Sequence, residues 1–102
     1  MDISTNPGNP VTATADGIVS FSDWNAGNGN LVVIEHGFGY STFYAHNKMN
    51  AVKVSQHVKR GDIIAYVGST GNSTGPHLHY EVWKNGRPVN PKIYIDSLCT
   101  SS

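Results

Sequence analysis

Brevity of pattern is what most limits this 102-residue chain: apolar stretches last a few residues, and eleven glycines break them up. The stretches are GIVSF at 17–21, LVVIEH at 31–36, STFYAH at 41–46, IIAYV at 63–67 and HLHYEVW at 77–83. Several are rich in β-branched and aromatic residues, and none sustains the 3.6-residue period of a helix, so each reads as a strand. Gly37-Phe38-Gly39 can join the second and third as a tight hairpin. Asn85-Gly86 has the residues of a type I′ turn, with 87–89 returning after it. Near the end, Asn90-Pro91 offers a cap and a first-turn proline for one short helix over 92–95. With no internal repeat or interdomain linker, the pattern predicts one compact, mostly β domain of antiparallel sheets with one short C-terminal helix.

The charge balance narrows what such a domain binds. Seven basic and seven acidic residues give a formal charge of zero, and no sustained basic run offers a face to nucleic acid. Lys53, Lys59 and Arg60 read as the solvated part of a hairpin. No apolar stretch approaches the roughly 20 residues of a membrane helix, and no signal peptide is recognisable. Cys99 is the sole cysteine, which excludes an internal disulfide. The glycine-rich segment at 68–75 lacks the lysine and following helix of a phosphate loop; it fits the mouth of a groove. The sequon at 72–74 carries no weight. Tyr40, Tyr66, Tyr80, Trp24 and Trp83 can line a groove, although packing is the default reading for each.

Histidine placement carries the chemistry. In His77-Leu78-His79 the alternation of a strand puts both imidazoles on one face and Leu78 on the other. Paired imidazoles are poor core material, because each ring nitrogen needs a partner when buried. They suit a metal site, but they equally suit two surface or hydrogen-bonded rings. His36 ends a strand before Gly37 and reads as a hydrogen-bonded edge residue. His57, among Gln56, Val58 and Lys59, reads as solvated. His46 closes an apolar run where strand passes into loop, a position that admits either a reactive group on a rigid support or a bland one. Asp2 is either a terminal acid or a carboxylate brought to these histidines. Glu81 follows His79 on the same strand face, without the helical H-E-x-x-H spacing of a glutamate base; it reads as structural or as a support to His79.

The ordered segments resemble the LytM or lysostaphin-type zinc peptidases, the M23 family of peptidoglycan endopeptidases. Asp2-Ile3 resembles the end of the family's H-x-x-x-D element, and PVTATADGIV at 10–19 resembles the segment after it. Tyr44-Ala45-His46 matches the Y-x-H element. VSQHVKRGDIIAYVG at 54–68 matches the hairpin before the last motif, and STGNSTGPHLHYE at 69–81 matches the H-x-H signature loop and strand. The likeness runs from Asp2 to about Pro91. It implies a LytM-like fold, sandwich-like or barrel-like, over 1–96 with a tail at 97–102. By position, Asp2 and His79 correspond to zinc ligands, and His46 and His77 to the catalytic pair.

The family's first ligand, a histidine four residues before the aspartate, falls ahead of Met1. A catalytic zinc site usually has three protein ligands and one open position, so the resemblance implies one zinc ion, weakly held or absent, and little activity in this exact chain. The expected explanation is a fragment or a start at an internal methionine, with the histidine upstream; a naturally ligand-poor relative is the second. The resemblance further implies a peptidoglycan peptide as partner, an upstream domain or prosegment, and an envelope location, periplasmic or extracellular. Against this zinc-dependent endopeptidase stands a catalytically dead module that binds wall peptide or activates another wall hydrolase. A lipoyl- or biotinyl-type carrier is a third reading. It lacks a lysine in the right turn and leaves the H-x-H strand unexplained.

Overall fold

A computed structural model of the chain describes residues 2–4, 6–68 and 77–90, and the side chains of 6–68 and 78–90 within them. Its strands are β1 (Asp2–Ser4), β2 (Pro10–Thr12), β3 (Gly17–Asn25), β4 (Gly29–Gly37), β5 (Tyr40–Asn50), β6 (His57–Val58), β7 (Ile63–Val67), β8 (His77–Lys84) and β9 (Arg87–Val89). They form one 9-stranded sheet along the path β1-β8-β5-β4-β3-β6, with β7 joining β2 to β5 and β9 pairing with β8. Every pairing among them is antiparallel. The domain is mostly β, and no helix among the described residues is long and apolar enough to cross a membrane. The helix expected over 92–95, the tail at 97–102 and the signature loop at 69–76 lie outside the described residues.

The turns follow from residues able to hold left-handed backbone. Phe38 and Gly39 close the β4–β5 hairpin with φ of 53° and 81°, and Asn85 and Gly86 close β8–β9 with 52° and 78°. Positive φ at both central positions is the type I′ requirement. The two turns also touch: the Asn85 amide donates to the Gly39 carbonyl at 2.8 Å, and a Cβ at Gly39 would collide with the Asn85 side chain. Beyond these turns the strands outrun their apolar patterns. Pairing with a neighbour extends β3 to Asn25 and β5 to Asn50, both past polar residues.

One expectation is corrected. The 54–68 segment is not a self-paired hairpin: β6 pairs with β3, whereas β7 pairs with β2 and β5. The 59–62 turn joining them is closed by Lys59 and Asp62, each of whose amides bonds to the other residue. The segment therefore bridges two parts of the sheet.

β5 is the organising strand. Its residues Tyr40 to Ala45 pair with β8, and Asn47 to Asn50 pair with β7. Curling around this exchange, the sheet encloses a core of Val19, Val32, Ile34, Tyr44, Ile64, Val67, Tyr80 and Val82 with smaller neighbours. Polar atoms at its margin are bonded to one another. Thr14 Oγ1 lies 3.0 Å from both the Tyr44 and Tyr80 hydroxyls, and Thr42 donates to the Tyr44 hydroxyl at 2.9 Å. His36 Nδ1–H donates to the Asp16 carbonyl and Nε2 bonds to Thr42 Oγ1, each at 2.7 Å. His36 thus has the structural, hydrogen-bonded role its position suggested.

Candidate functional site

β8 carries the H-x-H pair between two other strands. On one side, β1 sets Asp2 opposite His79 and Ser4 opposite His77. On the other, β5 sets Ala45 opposite His79. Directly opposed residues of an antiparallel pair share a sheet face, so the register alone assigns Asp2, His79 and Ala45 to one row across three strands.

His46 follows Ala45 and by strict alternation belongs on the opposite, core face with Tyr44. It does not stay there. The β4–β5 pairing passes from Val32↔Tyr44 to Asn30↔Asn47, so β5 spends one more residue than β4 over this step. A bulge of this kind resets which face each residue takes. His46 adopts φ 64° within it, and its ring meets that of His79 edge-on, with centroids 5.9 Å apart. His46 is buried, at 8% exposure. The bulge falls where β5 exchanges β8 for β7, so the fold delivers His46 to His79 at its main branch point.

Glu81 fixes the orientation of His79. Its Oε2 accepts from His79 Nε2 at 2.5 Å, and its Oε1 accepts from Trp83 Nε1 at 2.8 Å. Partial burial pushes the Glu81 carboxyl up, but the hydrogen bonds from Trp83 and His79, with the attraction of His79, hold it below the usual carboxylate range. An ionised carboxylate only accepts, so His79 carries its proton on Nε2, and in the neutral ring Nδ1 keeps the lone pair. That is the tautomer of a metal-ligating histidine steadied by a carboxylate on its other nitrogen. The donor chemistry therefore fits a zinc ion. Among the described side chains, which include neither Asp2 nor His77, no group of three His, Cys, Asp or Glu is gathered for a metal.

Beside this site the same sheet face is apolar. Leu31, Val33 and Ala45 form a small buried cluster under Phe21 and Phe43, and Trp83 packs on Phe43 with centroids 5.5 Å apart. Of the other histidines, His36 is committed to Asp16 and Thr42, and His57 is exposed on β6, at the other end of the strand path from β1. The bond between Glu81 and Trp83 escaped sequence reasoning, though i, i+2 spacing on one strand was the available signal. The asparagines around His46 escaped it too, since Asn47 and Asn50 look like ordinary loop residues.

The chain is similar to several known proteins. The profile of peptidase family M23 matches residues 1–91. The chain is 49% identical over 92 residues to the DD-carboxypeptidase/endopeptidase Mpg of Neisseria meningitidis, covering 89% of this chain and 21% of that protein. It is 40% identical over 95 residues to the murein hydrolase activator EnvC of Escherichia coli, covering 93% and 23% respectively. Among solved structures, a zinc-containing peptidase from Vibrio cholerae superposes with a TM-score of 0.83 at 48% identity, over 86% of this chain and 27% of that one. The chain spans about a fifth of the length of the curated relatives it matches.

Proposed function

Because the chain belongs to peptidase family M23, we propose that it is the peptidase domain of a zinc-dependent endopeptidase that hydrolyses peptide cross-bridges of bacterial peptidoglycan in the cell envelope. The observation that carries this reading is the row across β1, β8 and β5, which sets Asp2 and the Ala45-His46 step on either side of His79. Asp2 and His79 would hold the zinc, Glu81 fixing the His79 ring. Zinc bound there supplies Lewis acidity toward a peptide carbonyl and the attacking water. His46 and His77 divide the remaining work: one ring accepts the proton of the water, and the other stabilises the oxyanion or protonates the leaving amine. The apolar strip of Phe43 and Trp83 beside the histidines is a surface on which an extended peptide can lie.

Two ligands fall short of the three protein ligands usual for catalytic zinc. This chain alone is therefore proposed to bind zinc weakly and to turn over little, with a histidine joined ahead of Met1 completing the set. Zinc stoichiometry and affinity, measured in parallel on this chain and on a form extended to restore that histidine, test the reading. Tight one-to-one binding by the extended form, with cleavage of wall peptides, is the expected result. Failure of both forms to bind zinc tightly sinks the catalytic assignment. The similarity to the activator EnvC favours a second reading for that outcome, a module that engages wall peptide or a separate wall hydrolase without cutting.

A further inference from the structure

His46 meets His79 with its backbone in the left-handed region, a conformation that is strained for a residue with a Cβ and persists where its surroundings enforce it. The enforcing contacts are side chains and carbonyls of asparagines. Asn47, with no exposed surface, donates from Nδ2 to the Tyr44 carbonyl at 2.9 Å and to Asn50 Oδ1 at 3.1 Å. The first bond closes a loop over Ala45 and His46, tying the residue before the bulge to the residue after it. Asn50 passes the restraint on by donating to the Leu31 carbonyl at 3.2 Å. From β4, Asn30 donates to the carbonyls of Asn47 and Lys48, each at 3.1 Å. The His46 amide itself donates to the Asn28 carbonyl at 2.7 Å. Three directions of restraint therefore meet on one left-handed residue.

We propose that Asn47, braced by Asn30, is a positioning residue that holds His46 in the left-handed bulge and so keeps its ring against His79. The inference deepens the function proposed above and rests on His46 serving catalysis. It also explains why β5 changes partners at this residue. A regular strand would pair straight through and turn the ring into the core. The asparagine amides satisfy carbonyls at the exchange that a regular ladder would otherwise have to satisfy.

NMR on the full chain tests the positioning without any turnover. The native protein should show a strong intraresidue HN–Hα NOE at His46, the mark of a positive φ, together with ring-to-ring NOEs between His46 and His79. Asn47→Asp keeps the shape of the side chain and removes both donors. Asn30→Ala removes the brace from the partly buried side and serves where the first variant does not fold. Ser22→Ala deletes a hydrogen bond to the Val52 carbonyl and controls for lost stability. Loss of both NOEs in Asn47→Asp or Asn30→Ala, with their retention in Ser22→Ala, is the expected result.

In the form that cleaves wall peptides, kcat should fall roughly tenfold to a hundredfold in the same variants while KM holds, as for misplacement of a reacting group. NOEs that persist in both asparagine variants overturn the proposal, even if His46→Ala is inactive. Native turnover by His46→Ala instead overturns the role of His46 itself, whatever the NOEs show.

Discussion

The two faces of the central strands ask different things of neighbouring residues. On one, Val32, Ile34 and Tyr44 are fully buried and Tyr80 nearly so. On the other, Phe43 and Trp83 are only partly covered, and the His79 and Glu81 side chains keep 27% and 34% of their surface. Tyr44 and Tyr80 sit opposite each other in the same strand pair that sets Ala45 against His79, one residue further on. The closed face uses polar atoms to finish a core, the phenols of Tyr44 and Tyr80 each having a hydroxyl neighbour. The open face uses them to orient a ring. The same strands can thus bury one face and orient a polar ring on the other.

A core truncation should break that division most visibly. Ile34→Ala removes a fully buried side chain and should cost about 2–5 kcal/mol. Phe43→Ala removes a half-buried ring and its contact with Trp83, and should cost about 1–2 kcal/mol. Urea unfolding of the two variants gives the comparison directly. Equal costs would mean that the open face is part of the core after all.

The next largest effect belongs to Glu81 and is read in zinc affinity. Replacing a carboxylate that steadies a metal-bound histidine typically weakens the metal about 10- to 100-fold. Glu81→Leu should lose that much in chelator competition on whichever form binds zinc, and Glu81→Gln, which keeps an acceptor for His79 Nε2, should lose less. Nitrogen-15 spectra of His79 should show the Nε2–H tautomer in the native chain and a mixture in Glu81→Leu. An unchanged tautomer with unchanged affinity would leave Glu81 as a surface acid that happens to lie near the ring.

How much of this was legible in the sequence differs between the same two faces. The interior strands were readable, because β-branched and aromatic runs at 31–36, 41–46 and 63–67 state their own pattern. So were the turns at Gly37-Phe38-Gly39 and Asn85-Gly86, where residue type answers directly to φ. β1, β2 and β6 were not, since strands of two or three residues exist through their partners rather than their sequence. The neighbourhood of His46 and His79 was reached only through resemblance. Alternation alone sends His46 to the wrong face, and the bulge that corrects it is held by Asn30 and Asn47, which no periodicity marks. Asp2 shows the same limit: its register against His79 is a long-range fact, set by a pairing between the two ends of the described chain.

The smallest effect lies on the closed face and depends on pH. Burial raises the Tyr44 phenol above its ordinary value, and the hydrogen bonds with Thr14 and Thr42 only partly offset the rise. A group whose folded pKa is raised contributes stability that is complete below the unfolded value, about 10 for tyrosine, and lost as pH climbs through the folded one. The native chain should therefore lose stability on the alkaline side, where the unfolded phenol ionises first. Tyr44→Phe removes the hydroxyl that Thr42 and the Thr14 amide donate to, and should cost about 1 kcal/mol at neutral pH. It also removes the ionisable group, so its deficit against the native chain should shrink once the pH exceeds about 10. Urea midpoints of the two proteins across that range decide the matter. A gap that stays constant would mean that the phenol is solvated enough to ionise in the folded sheet, and the closed face would be more open than its neighbours indicate.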